Sequence, residues 1–361
     1  KERMMTKMSI IQSGSYNIHI GDKCFDEMEL FFHHNKYSEI IFLVDENTQK
    51  YCLPIIYKIV PALKKKNIIP IKSGEKHKNI TTCIAIWKIL SERKADRKSL
   101  LINLGGGVIS DTGGFSASAF KRGIDFINIP TTLLAMADAS AGGKTGIDFN
   151  GIKNEIGFFS SPKVVFISPV FLKTLSKRHL VSGFAEIIKH GLIADKNYWE
   201  KAKMTNASTM EWEKIITRSI EIKNKIVLQD PQENGLRKVL NFGHTIGHAL
   251  ETYSLMQSKK PLLHGEALAM GMICEAYLST KILTLTTDEL QDIVSKINSI
   301  FCPRKITYPF NHLIRIMEHD KKNNTAKINF TLLNRIGEPK INCTCTKKLI
   351  TKALAFFNSV V

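Results

Sequence analysis

No CxxC pair occurs among the cysteines, and no apolar run approaches the ~20 residues that cross a bilayer. The cysteines (Cys24, Cys52, Cys83, Cys274, Cys302, Cys343, Cys345) are odd in number and scattered, which reads as reduced thiols rather than a disulfide framework. The opening stretch, KERMMTKMSIIQSG, lacks the apolar core of a signal peptide, so a cytoplasmic location without membrane attachment is the expectation. Aromatics are only 8% and no nucleic-acid motif is present, which argues against a stacking platform for DNA or RNA. The chain does carry 51 basic against 33 acidic residues, a net charge of +18. The lysines are spread along its whole length, as compositional drift would leave them, while remaining compatible with attraction for anionic small molecules. GxGxxG, the GxxxxGK[ST] phosphate loop, internal repeats and Gly/Ser linkers are all absent.

What is present divides into two halves. Up to about residue 165, short apolar runs alternate with helical stretches: SEIIFLVDENT, IIPIKSGEKHK, SLLINLGGG and IDFINIPTT read as strands, and YCLPIIYKIVPALKKKN and NITTCIAIWKILSERKADRK as helices. In the latter, Ile84, Trp87, Ile89 and Leu90 fall at helical spacing. This alternation predicts an α/β domain over 1–165 with a parallel, Rossmann-like nucleotide-binding sheet. Residues 166–361 predict a mainly α-helical domain, with helix-period segments at 169–194, 195–230, 238–256, 264–281 and 287–300. The halves are expected to pack closely, with a ligand cleft between them.

Chemistry-bearing residues gather at a few places. Gly105-Gly106-Gly107 joins a strand to a helix and is followed by Asp111, a setting in which a backbone can approach phosphate at a helix N-terminus. The same glycines also fit a tight turn needing positive φ. Asp138, Lys144, Lys153 and Asn154 lie in or beside a glycine-rich loop, where lysines either bind anions or are simply solvated. Glu186 and Lys189 share a helix face, as an ion pair or as a metal-ligating carboxylate beside a lysine. Lys223 falls in the middle of an apolar stripe formed by Trp212, Ile215, Ile216, Ile220, Ile226 and Val227; burial there is costly without a partner, so an anion-facing role fits its register. Glu233 and Arg237 then lead into RKVLNFGHTIGHALETYSLMQSKKPLLHGE. His244 and His248 are one helical turn apart, and His264 returns after a loop; imidazoles in this pattern serve as metal ligands or as ordinary helix histidines.

The landmarks occur in a fixed order: VDENT, SGEKHK, GGGVISD, FKRG, PTTLLAMADASAGGKTGID, KN, GFAEIIKHG, LNFGHTIGHALE, LLHGE and DKKN. Taken together they resemble the 3-dehydroquinate synthase family of sugar-phosphate cyclases, over nearly the whole chain. More distantly, the chain resembles iron-type alcohol and glycerol dehydrogenases. Ser110 and Thr112-Gly113 depart from residues often seen there but leave Asp111 and the glycines in place.

The resemblance implies a divalent metal, zinc or cobalt, on Glu186, His244 and His264, with His248 facing substrate as a proton-handling residue. It thereby sets aside the pairing of His244 with His248 that spacing suggests. NAD is implied at Asp45, Asn47, Glu75, Lys78, Gly105, Gly106, Gly107, Asp111, Thr131, Thr132, Lys153 and Thr174. Catalytic and substrate contacts are implied at Lys144, Lys189, Lys223, Arg237, Asn241, Asp138, Asn154 and Glu233, with Lys321 of Asp320-Lys321-Lys322 on the substrate carboxylate. Arg122 would reach the phosphate of a neighbouring subunit's substrate, which implies a homodimer. The implied reaction converts 3-deoxy-D-arabino-heptulosonate 7-phosphate to 3-dehydroquinate and phosphate in the shikimate pathway, by transient oxidation, elimination, re-reduction and aldol closure. Rivals are a cyclase acting on a sugar phosphate without a carboxylate, a simple NAD-dependent dehydrogenase, and a basic nucleic-acid binder.

Overall fold

The computed structural model describes residues 8–204, 210–318 and 328–361. Two compact units emerge, Lys1–Leu180 with Glu211–Asn224, and Val181–Met210 with Lys225–Val361.

The first unit contains strands β1 (Ser9–Ser13), β2 (Tyr16–Ile20), β3 (Ile40–Asp45), β4 (Asn67–Ile71), β5 (Leu100–Gly105), β6 (Asp125–Pro130), β7 (Lys144–Phe149), β8 (Ile152–Phe159) and β9 (Val164–Ile167). Its helices are α1 (Cys24–His34), α2 (Glu46–Tyr51), α3 (Leu53–Ile59), α4 (Ile80–Glu92) and α5 (Gly107–Ala119). Seven strands form one sheet in the order β1-β2-β9-β6-β5-β3-β4. All neighbours pair in parallel except β1, which runs antiparallel to β2. From β3 the chain crosses outward to β4, then back over β3 to β5 and on to β6. Right-handed crossovers in opposite directions put helices on opposite faces. Accordingly Ile41, Leu43 and Leu101 pack with Ile86, Leu90, Ile109 and Ala117 of α4 and α5, while Phe42 meets Tyr57 of α3 on the other face. With both faces covered, β3 and β5 are almost wholly buried and carry no polar alternation. The strand order therefore reverses between β3 and β5, whose carboxyl ends carry Asp45 and the glycine run. That is the place where open α/β sheets hold ligands.

In α4 the buried stripe is Cys83, Ile86 and Leu90, with Trp87 partly buried. Ile84, placed on that stripe by spacing, is 56% exposed. Three antiparallel hairpins were absent from the strand pattern: β1–β2 and β7–β8 in this unit, and one in the second.

The second unit takes in most of α6 (Lys177–Ala194), then α7 (Lys196–Met204), the end of α8 (Trp212–Gln229), α9 (His244–Gln257), α10 (His264–Ile282), α11 (Thr287–Phe301) and α12 (Phe310–Glu318). The hairpin β10 (Asn329–Arg335) and β11 (Glu338–Thr344) and helix α13 (Lys347–Val360) complete it. The continuous helix expected over 169–194 is split into a 3-10 turn at Pro169–Thr174 and α6. The one expected over 238–256 breaks at Gly243, whose φ of 79° is left-handed, and leaves a 3-10 turn at Leu236–Asn241 ahead of α9. Among the described residues, no helix is long and apolar enough to cross a membrane.

Candidate active site

The histidine segment folds so that α9 and α10 approach with little between them. A Cβ on Gly271 would lie 2.0 Å from the Gly243 carbonyl oxygen, and one on Gly265 would lie 1.8 Å from that of Ser182 in α6. Glycine at these two places lets the backbones of three helices meet. His244 opens α9, His264 opens α10 and Glu186 sits within α6, so the close approach brings their side chains together.

The Nε2 atoms of His244 and His264 lie 3.4 and 3.3 Å from the same oxygen, Oε1 of Glu186. The remaining ring nitrogens are engaged elsewhere. Nδ1 of His244 donates to the Phe242 carbonyl at 3.1 Å, and Nδ1 of His264 to Glu251 Oε2 at 3.0 Å. Each imidazole is thus turned with Nε2 toward the carboxylate, the arrangement in which outer partners orient metal-ligating histidines. Ligands on a tetrahedral ion with bonds of ~2.0–2.1 Å stand about 3.3–3.4 Å apart, so these edges fit a zinc-like ion. Two imidazoles and one carboxylate are also a donor set that leaves a coordination position open for substrate. His248, Glu251 and His264 offer ligand atoms within 4.8 Å of one another as well. In that alternative Glu251 would be a ligand rather than the group that orients His264.

Electrostatics separates the two histidines. Burial, reinforced by the Lys189 ammonium, lowers His244 to about 4. Burial would lower His264 too, but the carboxylates of Glu251 and Glu186 outweigh it and raise the group to about 9. Burial opposes the charge on Glu186; Lys189 and the two imidazoles override it and hold the carboxyl well below its ordinary range. Lys189 is itself buried and ion-paired with Glu186. The His248 ring, half-buried, lies 5.1 Å from that of His244 and 5.9 Å from that of His264.

Just upstream, Asn241 donates to Glu233 Oε1 at 2.7 Å, and Arg237, buried, donates to the Pro231 carbonyl at 2.6 Å. Lys321 lies outside the described residues.

In the first unit, β5 runs into Gly105, Gly106 caps α5, and Gly107 is the helix's first residue. None of the three has positive φ. At the first two the need for glycine is closeness instead: a Cβ on Gly105 would strike Ile109 at 2.4 Å, and one on Gly106 would press Thr132 at 3.0 Å. The Thr131 amide donates to the Gly105 carbonyl at 2.9 Å. Thr131 and Thr174 both reach the Cys52 thiol, which burial pushes up to about 11. Asp45 caps α2, accepting from the amides of Asn47 and Thr48 at 2.9 and 2.8 Å.

One turn into α5, Asp111 pairs with the buried Lys78 ammonium at 2.5 Å, and Lys78 also donates to Asn154. Burial would lower Lys78, but Asp111, Glu75 and Asp148 hold it above its ordinary value. Lys153 pairs with Glu75 at 2.8 Å, and Asp148 accepts from the Asn154 amide at 2.8 Å. Lys223 is buried as its register implies, 2.9 Å from Asp138 Oδ1 and 2.7 Å from the Asp138 carbonyl. Asp138 belongs to a π-helical turn, Ala135–Ala139, a geometry often found at functional sites. Lys144 is exposed, with its Nζ 5.9 Å from the Phe159 ring. Arg122 is exposed too, in a left-handed conformation with φ 66°.

Sequence reasoning passed over Glu251, Glu275, Asp148 and Cys52. Only Glu251 left a trace, three residues after His248 in LNFGHTIGHALE and so on the same helix face.

A doubly wound sheet with a glycine turn at its switch point, joined in one chain to a helical unit with a His-His-Glu cluster, is a two-domain architecture shared with NAD- and metal-bound cyclases. One such structure is 2-deoxy-scyllo-inosose synthase complexed with carbaglucose-6-phosphate, NAD+ and Co2+ (TM-score 0.84, 22% identity, 96% of this chain and 99% of that one). Another is 2-epi-5-epi-valiolone synthase from Streptomyces hygroscopicus subsp. jinggangensis 5008 with NAD+ and Zn2+ (TM-score 0.82, 23% identity, 98% and 99%). At these identities the likeness is one of fold. The sequence is more specific. A family model described as 3-dehydroquinate synthase N-terminal matches residues 68–182, and one described as 3-dehydroquinate synthase C-terminal matches residues 183–323. The 3-dehydroquinate synthase of Parabacteroides distasonis is 43% identical over 335 residues, 92% of this chain and 94% of the relative. The chain belongs to the 3-dehydroquinate synthase family.

Proposed function

We propose that this chain converts 3-deoxy-D-arabino-heptulosonate 7-phosphate to 3-dehydroquinate and phosphate, with NAD and a divalent metal, zinc or cobalt, as cofactors. The observation that carries the chemistry is the convergence of two Nε2 atoms on one Glu186 oxygen at 3.3 and 3.4 Å, in a chain of this family. Glu186, His244 and His264 are the metal ligands in this reading. The glycine turn, Asp45, Asn47, Glu75, Lys78, Asp111, Thr131, Thr132, Lys153 and Thr174 are the NAD set. When bound, the metal supplies Lewis-acid polarisation of substrate hydroxyls, and NAD a hydride acceptor that is regenerated within the cycle.

The chain's own groups do the rest. Arg237 binds the substrate carboxylate, with Lys321 assigned to the same group. Asn241, held by its hydrogen bond to Glu233, is assigned to the substrate. Lys144, Lys223 and Lys189 neutralise negative charge as phosphate departs; Lys223 and Lys189 do so from buried positions, where a fixed ammonium acts more strongly than in water. Asp138, which pairs with Lys223, and Asn154, which accepts from Lys78, are assigned to the substrate. His248, close to both ligand histidines yet half-buried, moves protons to and from substrate oxygens. Arg122 is assigned to the phosphate of a neighbouring subunit's substrate in a homodimer, and its exposure is what that role needs.

The reading is tested by incubating purified protein with the heptulosonate phosphate, catalytic NAD+ and Zn2+ while following phosphate and dehydroquinate. Equal amounts of both with no net NADH are expected. Accumulating NADH would instead mark a dehydrogenase.

A further inference from the structure

Helix α9 begins without a capping side chain of its own. Its N-cap is Gly243 and its first residue is His244, so the orphan amides of the first turn have no local acceptor. The acceptor comes from another helix. Glu275, fully buried in α10, accepts from the Gly243 amide through Oε2 at 2.6 Å and from the Ile246 amide through Oε1 at 3.1 Å. Its two oxygens thus straddle His244, one on each side in the chain.

The same face of α10 does more than this. Residues seven and eleven positions after His264 lie within about 20° of it around a helix of 3.6 residues per turn. Those residues are Gly271 and Glu275. Gly271 lets the Gly243 carbonyl come within a distance no Cβ would permit, and Glu275 closes on the amides either side of His244. One helix face therefore presents His264 at its start and clamps the base of His244 two and three turns later. A carboxylate is suited to this clamp because it accepts through both oxygens and its charge complements the positive end of α9. An amide side chain would place an N–H against one of the two donors.

We propose that Glu275 is a positioning residue for the metal centre: it splints the first turn of α9 so that His244 meets Glu186 and His264, and raises metal affinity without touching the ion. The proposal rests on reading Glu186, His244 and His264 as the ligands. The test is a double-mutant cycle on the metal-stripped full chain, with Co2+ alone as probe, its visible absorption as the spectroscopic signature and its Kd from chelator competition. Glu275→Gln is expected to weaken Co2+ binding by about 10- to 100-fold and to alter the spectrum, the size seen when outer partners of metal ligands are lost. In a His244→Ala background, titrated to millimolar Co2+ so that the weak binding of the two remaining ligands is read, the same change is expected to add nothing, because the ligand it positions is gone. An unchanged Kd and spectrum, or losses that add in the double variant, would overturn the proposal and leave Glu275 a general packing residue. If Glu275→Gln does not fold, Glu275→Asp, which keeps the charge but withdraws it by one methylene, carries the same cycle. An unmodified chain that takes up no Co2+ sinks the ligand reading itself. That outcome is distinct from one in which Co2+ binds and Glu275 proves irrelevant.

Discussion

Metal binding to this chain should release one proton over most of the accessible pH range, because the two ligand histidines are held so differently. In the metal-free protein His264 is raised to about 9 and His244 lowered to about 4. At pH 7 about 99% of His264 carries a proton that must leave before Nε2 can bind a metal, whereas His244 is already neutral. The logarithm of metal affinity should therefore rise by about one unit per pH unit from roughly pH 5 to 9; at pH 7 it should sit about 100-fold, or about 3 kcal/mol, below its alkaline limit. Calorimetry of Zn2+ binding in buffers of different ionisation enthalpy counts the protons directly. Glu251→Gln removes the carboxylate that lifts His264 most while leaving an oxygen to accept from Nδ1. In that variant, proton release at pH 8 should fall and metal binding should persist. Two ordinary histidines would release close to two protons below pH 6 and almost none at pH 8. That pattern would refute the split.

Three further outcomes follow from the same geometry. His264→Ala should abolish metal uptake by elemental analysis, whereas His248→Ala should keep the metal and slow turnover; equal metal loss in both would reverse their roles. The metal-free protein should melt highest near pH 6.5, as thermal scans can establish. His264 is raised in the fold, so its contribution is complete below 6.5 and is lost as pH climbs toward 9; His244 is lowered, so stability falls as pH drops from 6.5 toward 4, each by about 3 kcal/mol. A flat profile across that range would contradict both shifts. Lys78→Met strands Asp111 beside the glycine turn and should cost about 3–5 kcal/mol in urea unfolding along with weaker NAD binding; a loss under about 1 kcal/mol would mean the pair is solvated.

Much of this is legible in the sequence. The four parallel strands from β3 to β6 announced themselves because strands buried on both faces read as unbroken apolar runs. Lys223 stood out because a charge inside an apolar stripe needs a partner, and Asp138 is there. What stayed hidden has physical reasons. Strand β8 exposes Ile152, Ile156, Phe158 and Phe159, so its pattern never alternated as a half-buried strand should. Strand β9 is four residues long. The break at Gly243 was invisible because nothing local caps α9; its cap comes from Glu275, 32 residues away. Likewise Glu251 and Glu275 look like ordinary helix carboxylates in sequence, and only the folded chain turns them toward a histidine or a helix end. Spacing favoured His244 with His248, and the approach of α9 to α10 through Gly271 brings His244 to His264 and Glu186 instead.

The reaction proposed for this chain is a redox-neutral cyclisation. A single-turnover experiment with stoichiometric NAD+ and Zn2+ tests it most directly, following nicotinamide absorbance while quenched samples are assayed for phosphate and dehydroquinate. One phosphate and one dehydroquinate per active site are expected, with any NADH signal rising and returning to its starting level. NADH that rises and stays, without release of phosphate, would contradict it.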